Sequence, residues 1–153
     1  MKVNRIDHVS INVLSLVEVT HFFVSLGFVV KGEWESSGPQ LDRITGLRNV
    51  KTSCAALGVP DGETWLELVQ YQNPVDTGQS SNEVHAAGLR HLCLNVESLD
   101  AMMTIVNEQG YTSISPAEQF GETYRICYVR GPEGIILEIA ENYLKLKEGK
   151  DVS

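Results

Sequence analysis

The chain has 153 residues, of which 42% are apolar and 21% charged, and it carries a formal net charge of −8 from 12 basic against 20 acidic side chains. That balance describes an ordinary globular chain, long enough for one domain or two small modules. It excludes nucleic acid and anionic membrane as partners, because phosphate neutralisation needs clustered Lys and Arg, and here only Lys145, Lys147 and Lys150 gather, in the tail.

The start, Met1 to Arg5, runs directly into a strand pattern, and no apolar run approaches the ~18 residues of a membrane span, so a cytoplasmic location is expected. Ile6 to Val13 alternates strictly, with His8, Ser10 and Asn12 on one face and Val9, Ile11 and Val13 on the other, the signature of a strand. Ser15 with Glu18 three residues on forms a capping box for a helix of about three turns that closes at Gly27 as its C-cap. Phe28 to Glu35 is β-like until Ser36-Ser37-Gly38-Pro39 breaks it, and Leu41, Ile44 and Leu47 predict a short helix on a long loop. Cys54 to Val59 and Trp65 to Tyr71 are strands about the Pro60-Asp61-Gly62 turn, with Trp65, Glu67, Val69 and Tyr71 sharing a face.

Asn73 to Ala87 has linker composition, and the order then repeats. Leu89 to Val96 is a strand; Ser98 caps a helix that reaches Gly110; Tyr111 to Ile114, Tyr124 to Val129 and Ile135 to Ala140 are strands. The tail from Asn142 is charged, with one helical turn expected before disorder. The repeat is literal: shifted by 83 positions, Arg5 to Val13 lies over Gly88 to Val96 without a gap, so that His8 falls on His91, Asn12 on Asn95 and Gly27 on Gly110. Leu66-Glu67-Leu68 likewise matches Leu137-Glu138-Ile139. Such a repeat takes precedence over other readings. It predicts an α+β chain of two tandem βαβββ modules, residues 1–73 and 88–142, joined by a linker at 74–87 and followed by a tail at 143–153. About twelve extra residues of the first module fall at about 36–51.

Each module offers one histidine from its first strand and one glutamate from its last: His8 and Glu67, His91 and Glu138. A lone His or Glu in a strand is usually structural or solvent-facing. Recurrence of both types at matching places, opposite faces of Val, Ile and Leu, is not explained that way, and charge among apolar strands is costly unless paired or metal-bound. Pseudo-symmetry would bring the four into the trough between the sheets as ligands for one divalent cation such as Ni, Zn, Co, Mn or Fe(II). Cys54, Cys93 and Cys127 are odd in number and lack CxxC spacing, which fits reduced thiols.

The two modules, the His8/Glu67/His91/Glu138 pattern, the Leu26-Gly27-Phe28 helix end and the close Gly131-Pro132-Glu133-Gly134-Ile135-Ile136-Leu137-Glu138 resemble the vicinal oxygen chelate superfamily, also called the glyoxalase/bleomycin resistance/dioxygenase superfamily, over Arg5 to Glu141. The resemblance implies cup-shaped mixed sheets around a central metal, a small substrate bound through adjacent oxygens, and a homodimer. Two His and two Glu are the ligand set of glyoxalase I-like lyases. Extradiol dioxygenases use two His and one carboxylate, methylmalonyl-CoA epimerases usually have Gln where this chain has Glu67, and bleomycin-sequestering members generally lack the ligands. The implied activity is that of a metal-dependent lyase or isomerase that transfers a proton beside a chelated carbonyl or enediolate, with Glu138 as the base and Glu67 as the alternative. A dioxygenase of the same superfamily and a small-molecule-binding, antibiotic-resistance type of protein remain as alternatives.

Strand parity lines the site with Ser10, Asn12, Trp65, Val69, Cys93, Asn95, Ile136 and Ala140, a mixed surface suited to a small oxygenated molecule. Trp34, Trp65 and Tyr71 fit either an apolar wall or core packing. Arg43 and Arg48 in the extra segment fit either an anion clamp on a lid or a solvated surface helix. His21 and His85 have no symmetric mate and receive no role, and a nucleophilic Cys93 would need a base that the sequence does not place.

Overall fold

The computed structural model describes residues 2–78 and 82–142. Two compact units divide the chain at Gly78 and Gln79. The expected helical turn of the tail and the linker positions 79–81 lie outside the described residues.

The first unit runs β1 (His8–Asn12), α1 (Leu16–Ser25), β2 (Val29–Ser37), α2 (Pro39–Thr45), β3 (Lys51–Gly58) and β4 (Trp65–Asn73). Its sheet has the order β1-β4-β3-β2, with β1 parallel to β4 and the other pairs antiparallel. The second unit runs β5 (His91–Val96), α3 (Leu99–Glu108), β6 (Thr112–Ser113), β7 (Glu118–Phe120), β8 (Tyr124–Arg130), a 3-10 turn at Pro132–Gly134 and β9 (Ile136–Asn142). Its order is β5-β9-β8-β6, again with the first and last strands parallel, and β7 also pairs with β8. The fold is mixed α+β with two sheets.

Both main helices start as their sequences dictate. Ser15 Oγ accepts from the Glu18 amide at 3.3 Å and Ser98 Oγ from the Ala101 amide at 3.2 Å, so each hydroxyl satisfies an orphan donor of the first turn. The closing glycines lie one position beyond the caps Leu26 and Gln109, at φ of +102° for Gly27 and +84° for Gly110, a conformation that a Cβ disfavours. Val19, Phe22 and Phe23 of α1 form the first core with Leu57 and Leu68. Leu99 and Val106 of α3 are buried in the second, with Val129, Leu137 and Ile139.

Several boundaries differ from expectation. β2 continues through Ser36 and Ser37 because they pair with Thr52 and Lys51, and the chain breaks at Gly38 instead. The short helix of the extra segment is α2, and its carboxylate Asp42 holds the following loop by accepting from the amides of Asn49 at 2.9 Å and Val50 at 2.8 Å. β5 starts at His91, leaving Leu89 87% exposed. β7 was not expected: Glu118-Gln119-Phe120 has little apolar content and is held by its pairing with Tyr124, Arg125 and Ile126.

A second repeated contact is invisible in the apolar pattern. The first amide of α1, on Leu16, donates to Gln70 Oε1 at 3.0 Å, and the first amide of α3, on Leu99, donates to Glu141 Oε2 at 2.7 Å. Both acceptors stand three residues after the repeated glutamate of the last strand.

An exposed ion pair also ties α3 to its sheet: Arg125 Nη1 lies 2.9 Å from Asp100 Oδ1, and its guanidinium holds the Asp100 carboxyl below the usual aspartate range. The folded value lies below the unfolded one, so the contribution is present above the unfolded pKa and disappears as pH falls through the folded value. Urea titrations across acid pH are expected to show Asp100→Asn less stable than wild type at neutral pH, with the difference closing in acid. The screened, exposed geometry keeps the effect small.

Candidate metal centre

Register places the histidine and glutamate of each unit on one face of a parallel strand pair. In the first unit His8 lies opposite Trp65 and Ser10 opposite Glu67; in the second His91 lies opposite Ile136 and Cys93 opposite Glu138. The glutamate is thus diagonal to its histidine by the same two-residue step in both units. Same-face diagonal neighbours on paired strands are within reach of long side chains. His8 Nε2 is 3.5 Å from Glu67 Oε2, and His91 Nε2 is 3.1 Å from Glu138 Oε2. Both carboxylates are partly shielded, at 23% and 19% exposure. Among the described residues, no group of three or more His, Cys, Asp or Glu is placed to hold a metal ion. Each unit places one imidazole nitrogen beside one carboxylate oxygen, donor types that suit a borderline divalent cation.

The surroundings of the two pairs differ. His8 stacks against Trp65 with ring centroids 4.6 Å apart, whereas His91 lies against Tyr128 at 5.1 Å. Across the antiparallel neighbour, Glu67 faces Ala56 and Glu138 faces Tyr128. Glu138 thereby sits between two protic groups, the Cys93 thiol and the Tyr128 phenol, one on each neighbouring strand. Burial pushes the Cys93 thiol up, with the Glu138 charge adding to it; burial and then Glu138 do the same to Tyr128. Both stay protonated at neutral pH, so Cys93 is not a nucleophile here. Cys54, on the Glu67 face, is raised first by burial, opposed by its hydrogen bond with Thr52, and raised further by the Glu67 charge.

Of the other expected lining residues, Ser10 and Asn12 are exposed on the His8 face, and Trp65 contacts the imidazole. Asn95 shares the Cys93 face, but its amide is turned onto the Ala140 carbonyl at 3.4 Å. Trp34 and Tyr71 lie on the Glu67 side of the sheet by register, and Trp34 is 37% exposed, outside the core. Arg43 and Arg48 are exposed, and α2 packs on β2, at the sheet edge opposite β1. His21 and His85 are exposed. The sequence reading missed Tyr128, although folding the last two strands about the Gly131–Gly134 turn pairs it with Glu138. It also missed Asp7, whose carboxylate meets the other edge of His8.

The family model described as Glyoxalase/Bleomycin resistance protein/Dioxygenase superfamily matches residues 5–139. The chain belongs to this superfamily. A glyoxalase family protein from Bacillus cereus is similar at 31% identity and a TM-score of 0.88, over 93% of this chain and 96% of that one. Two more distant structures share the fold. The trypanothione-dependent glyoxalase I of Leishmania major matches at 17% identity and a TM-score of 0.64, over 97% and 94% of the two chains. An antibiotic binding protein from a Streptomyces species matches at 18% identity and 0.60, over 93% and 98%. No curated protein matches the chain. Among the described residues no helix is long and apolar enough to cross a membrane.

Proposed function

We propose that this chain is a divalent-metal-dependent lyase or isomerase of the glyoxalase type, acting on a small oxygenated substrate by proton transfer next to a carbonyl. The observation that carries the reading is the duplicated half-site: one imidazole and one carboxylate at the same diagonal register and at 3.1–3.5 Å in both units. His8, Glu67, His91 and Glu138 together hold the ion, as a four-ligand set of two nitrogens and two oxygens. When bound, Ni, Zn, Co, Mn or Fe(II) supplies positive charge that polarises adjacent substrate oxygens.

Glu138 takes the carbon-bound proton as general base. The Cys93 thiol and Tyr128 phenol, opposite it on the two neighbouring strands, are placed to steady its carboxylate, while Glu67, flanked by Ser10 and Ala56, serves as a ligand. Ser10, Asn12 and Trp65 offer hydroxyl, amide and ring surface to the substrate. A homodimer is part of the same reading.

Metal content of protein purified without added metal tests it. About one transition metal per chain is expected, lost in both His91→Ala and Glu67→Gln. A wild type that stays metal-free after dialysis against Ni, Zn, Mn and Fe(II) overturns the reading. It would favour a metal-independent binding protein, whose small-molecule affinity survives chelation and Glu138→Gln.

A further inference from the structure

His8 turns its two nitrogens to two different carboxylates. Nε2 is 3.5 Å from Glu67 Oε2, and Nδ1 is 3.1 Å from Asp7 Oδ2. Asp7 is held in turn from its other oxygen, where Arg5 Nη2 donates to Oδ1 at 2.9 Å. The ring face is set by Trp65, tilted by 30° at a centroid distance of 4.6 Å. The imidazole therefore has its face set by one aromatic ring and its two edges by two acceptors.

An ionised carboxylate only accepts, and a neutral imidazole has one N–H to give. The nitrogen with the closer acceptor is Nδ1. We propose that Asp7 is a positioning residue that fixes His8 as the Nδ1–H tautomer and leaves the Nε2 lone pair directed to the Glu67 side. For its purpose this rests on the metal reading above, since a ligating nitrogen must carry the lone pair and a carboxylate behind a ligating histidine fixes its tautomer and orientation. The geometry stands without it.

The two halves part company here. In the repeat, Asp7 falls on Arg90, and a guanidinium has donors but no acceptor. Arg90 cannot take an Nδ1 proton from His91, so the side chain before the second histidine cannot repeat the service Asp7 gives the first. The half-sites match in ligands and differ in what stands behind them: His8 is the pre-oriented donor.

The test compares metal-free wild type, Asp7→Ala and Asp7→Asn with ¹⁵N-labelled histidine, at a pH where the rings are neutral. Wild-type His8 is expected as the Nδ1–H tautomer. In Asp7→Ala it shifts toward the Nε2–H form, and Asp7→Asn, whose carboxamide oxygen still accepts, retains Nδ1–H in part. The His91 signals stay unchanged in both. Zn affinity of Asp7→Ala is expected to fall on the order of 10–100-fold, with partial rescue in Asp7→Asn and an unchanged urea midpoint. A wild-type His8 protonated at Nε2, a tautomer indifferent to Asp7→Ala, or an unchanged Zn affinity in that variant overturns the proposal. A wild type that shows the Nδ1–H tautomer yet binds neither Zn nor Ni overturns the metal reading and leaves the positioning of His8 by Asp7 standing.

Discussion

At saturating metal, Glu138→Gln is expected to slow proton transfer on the order of 10²–10⁴-fold, the range that a positioned general base contributes, while Glu67→Gln stays within about tenfold of wild type. Both substitutions replace a carboxylate by a neutral oxygen donor, so both weaken the hold on a cation in the same way. Saturating metal removes that shared effect, and what remains is the loss of a base. The difference between the two positions follows from their neighbours. Glu138 lies directly opposite Cys93 and Tyr128, two groups that stay protonated and can donate to it. Glu67 lies opposite Ser10 and Ala56, so only one of its two strand neighbours carries a donor. The measurement is washout of carbon-bound deuterium from α-hydroxycarbonyl compounds, followed by NMR for both variants with the same ion. Equal losses would remove the assignment of the base to Glu138, and a larger loss at Glu67 would move that role to the first unit.

The same assay extends to Tyr128, and that residue shows why part of the site could be read in the chain and part could not. Ligand candidates were legible because two signals coincided: strand alternation put His8 and His91 on polar faces, and an ungapped repeat demanded that each have a mate. Period-two alternation survives any error in strand ends, since parity does not depend on where a strand begins. Tyr128 has no mate, as Ala56 stands in its place, and the repeat passes over it. Asp7 is also unmatched, with Arg90 at its position, and a short-range acid before a histidine has no periodic signature. Boundaries failed for a different reason. Ser36 and Ser37 stay in β2 because Thr52 and Lys51 pair with them, and β7 exists because β8 offers it an edge. Both depend on partners distant in sequence, which local propensity does not see.

Glu141 is the position where loss of stability is expected to be largest among the polar side chains of the second unit. It is 9% exposed, and its Oε2 accepts from the Leu99 amide at 2.7 Å, at the first turn of α3. Glu141→Ala leaves that amide without its acceptor in a buried setting, at about 1–3 kcal/mol, and removes a negative charge from a helix N-terminus, at about 0.3–1 kcal/mol. The sum predicts a loss of about 1.3–4 kcal/mol in urea unfolding with little change in slope. Glu141→Gln keeps an acceptor and forfeits only the charge, so its loss is expected near the helix-dipole range of about 0.3–1 kcal/mol. The matching contact of the first unit is already neutral: Gln70 Oε1 receives the Leu16 amide at 3.0 Å in a partly buried setting, and Gln70→Ala is expected to cost about 1 kcal/mol. The order Glu141→Ala, then Gln70→Ala, then Glu141→Gln is the checkable content, and equal losses in the two alanine variants would show that burial and charge add nothing at Glu141. The contact also explains how the site strand is held. Three residues is an odd step along a strand, so Glu138 and Glu141 point to opposite faces of β9: one meets His91, the other pins α3. Glu141→Gln, which keeps the pin, is expected to leave the metal affinity of the Glu138 face unchanged. A loss of affinity there would mean that the charge of Glu141 reaches across the sheet and that the two faces of β9 are not independent.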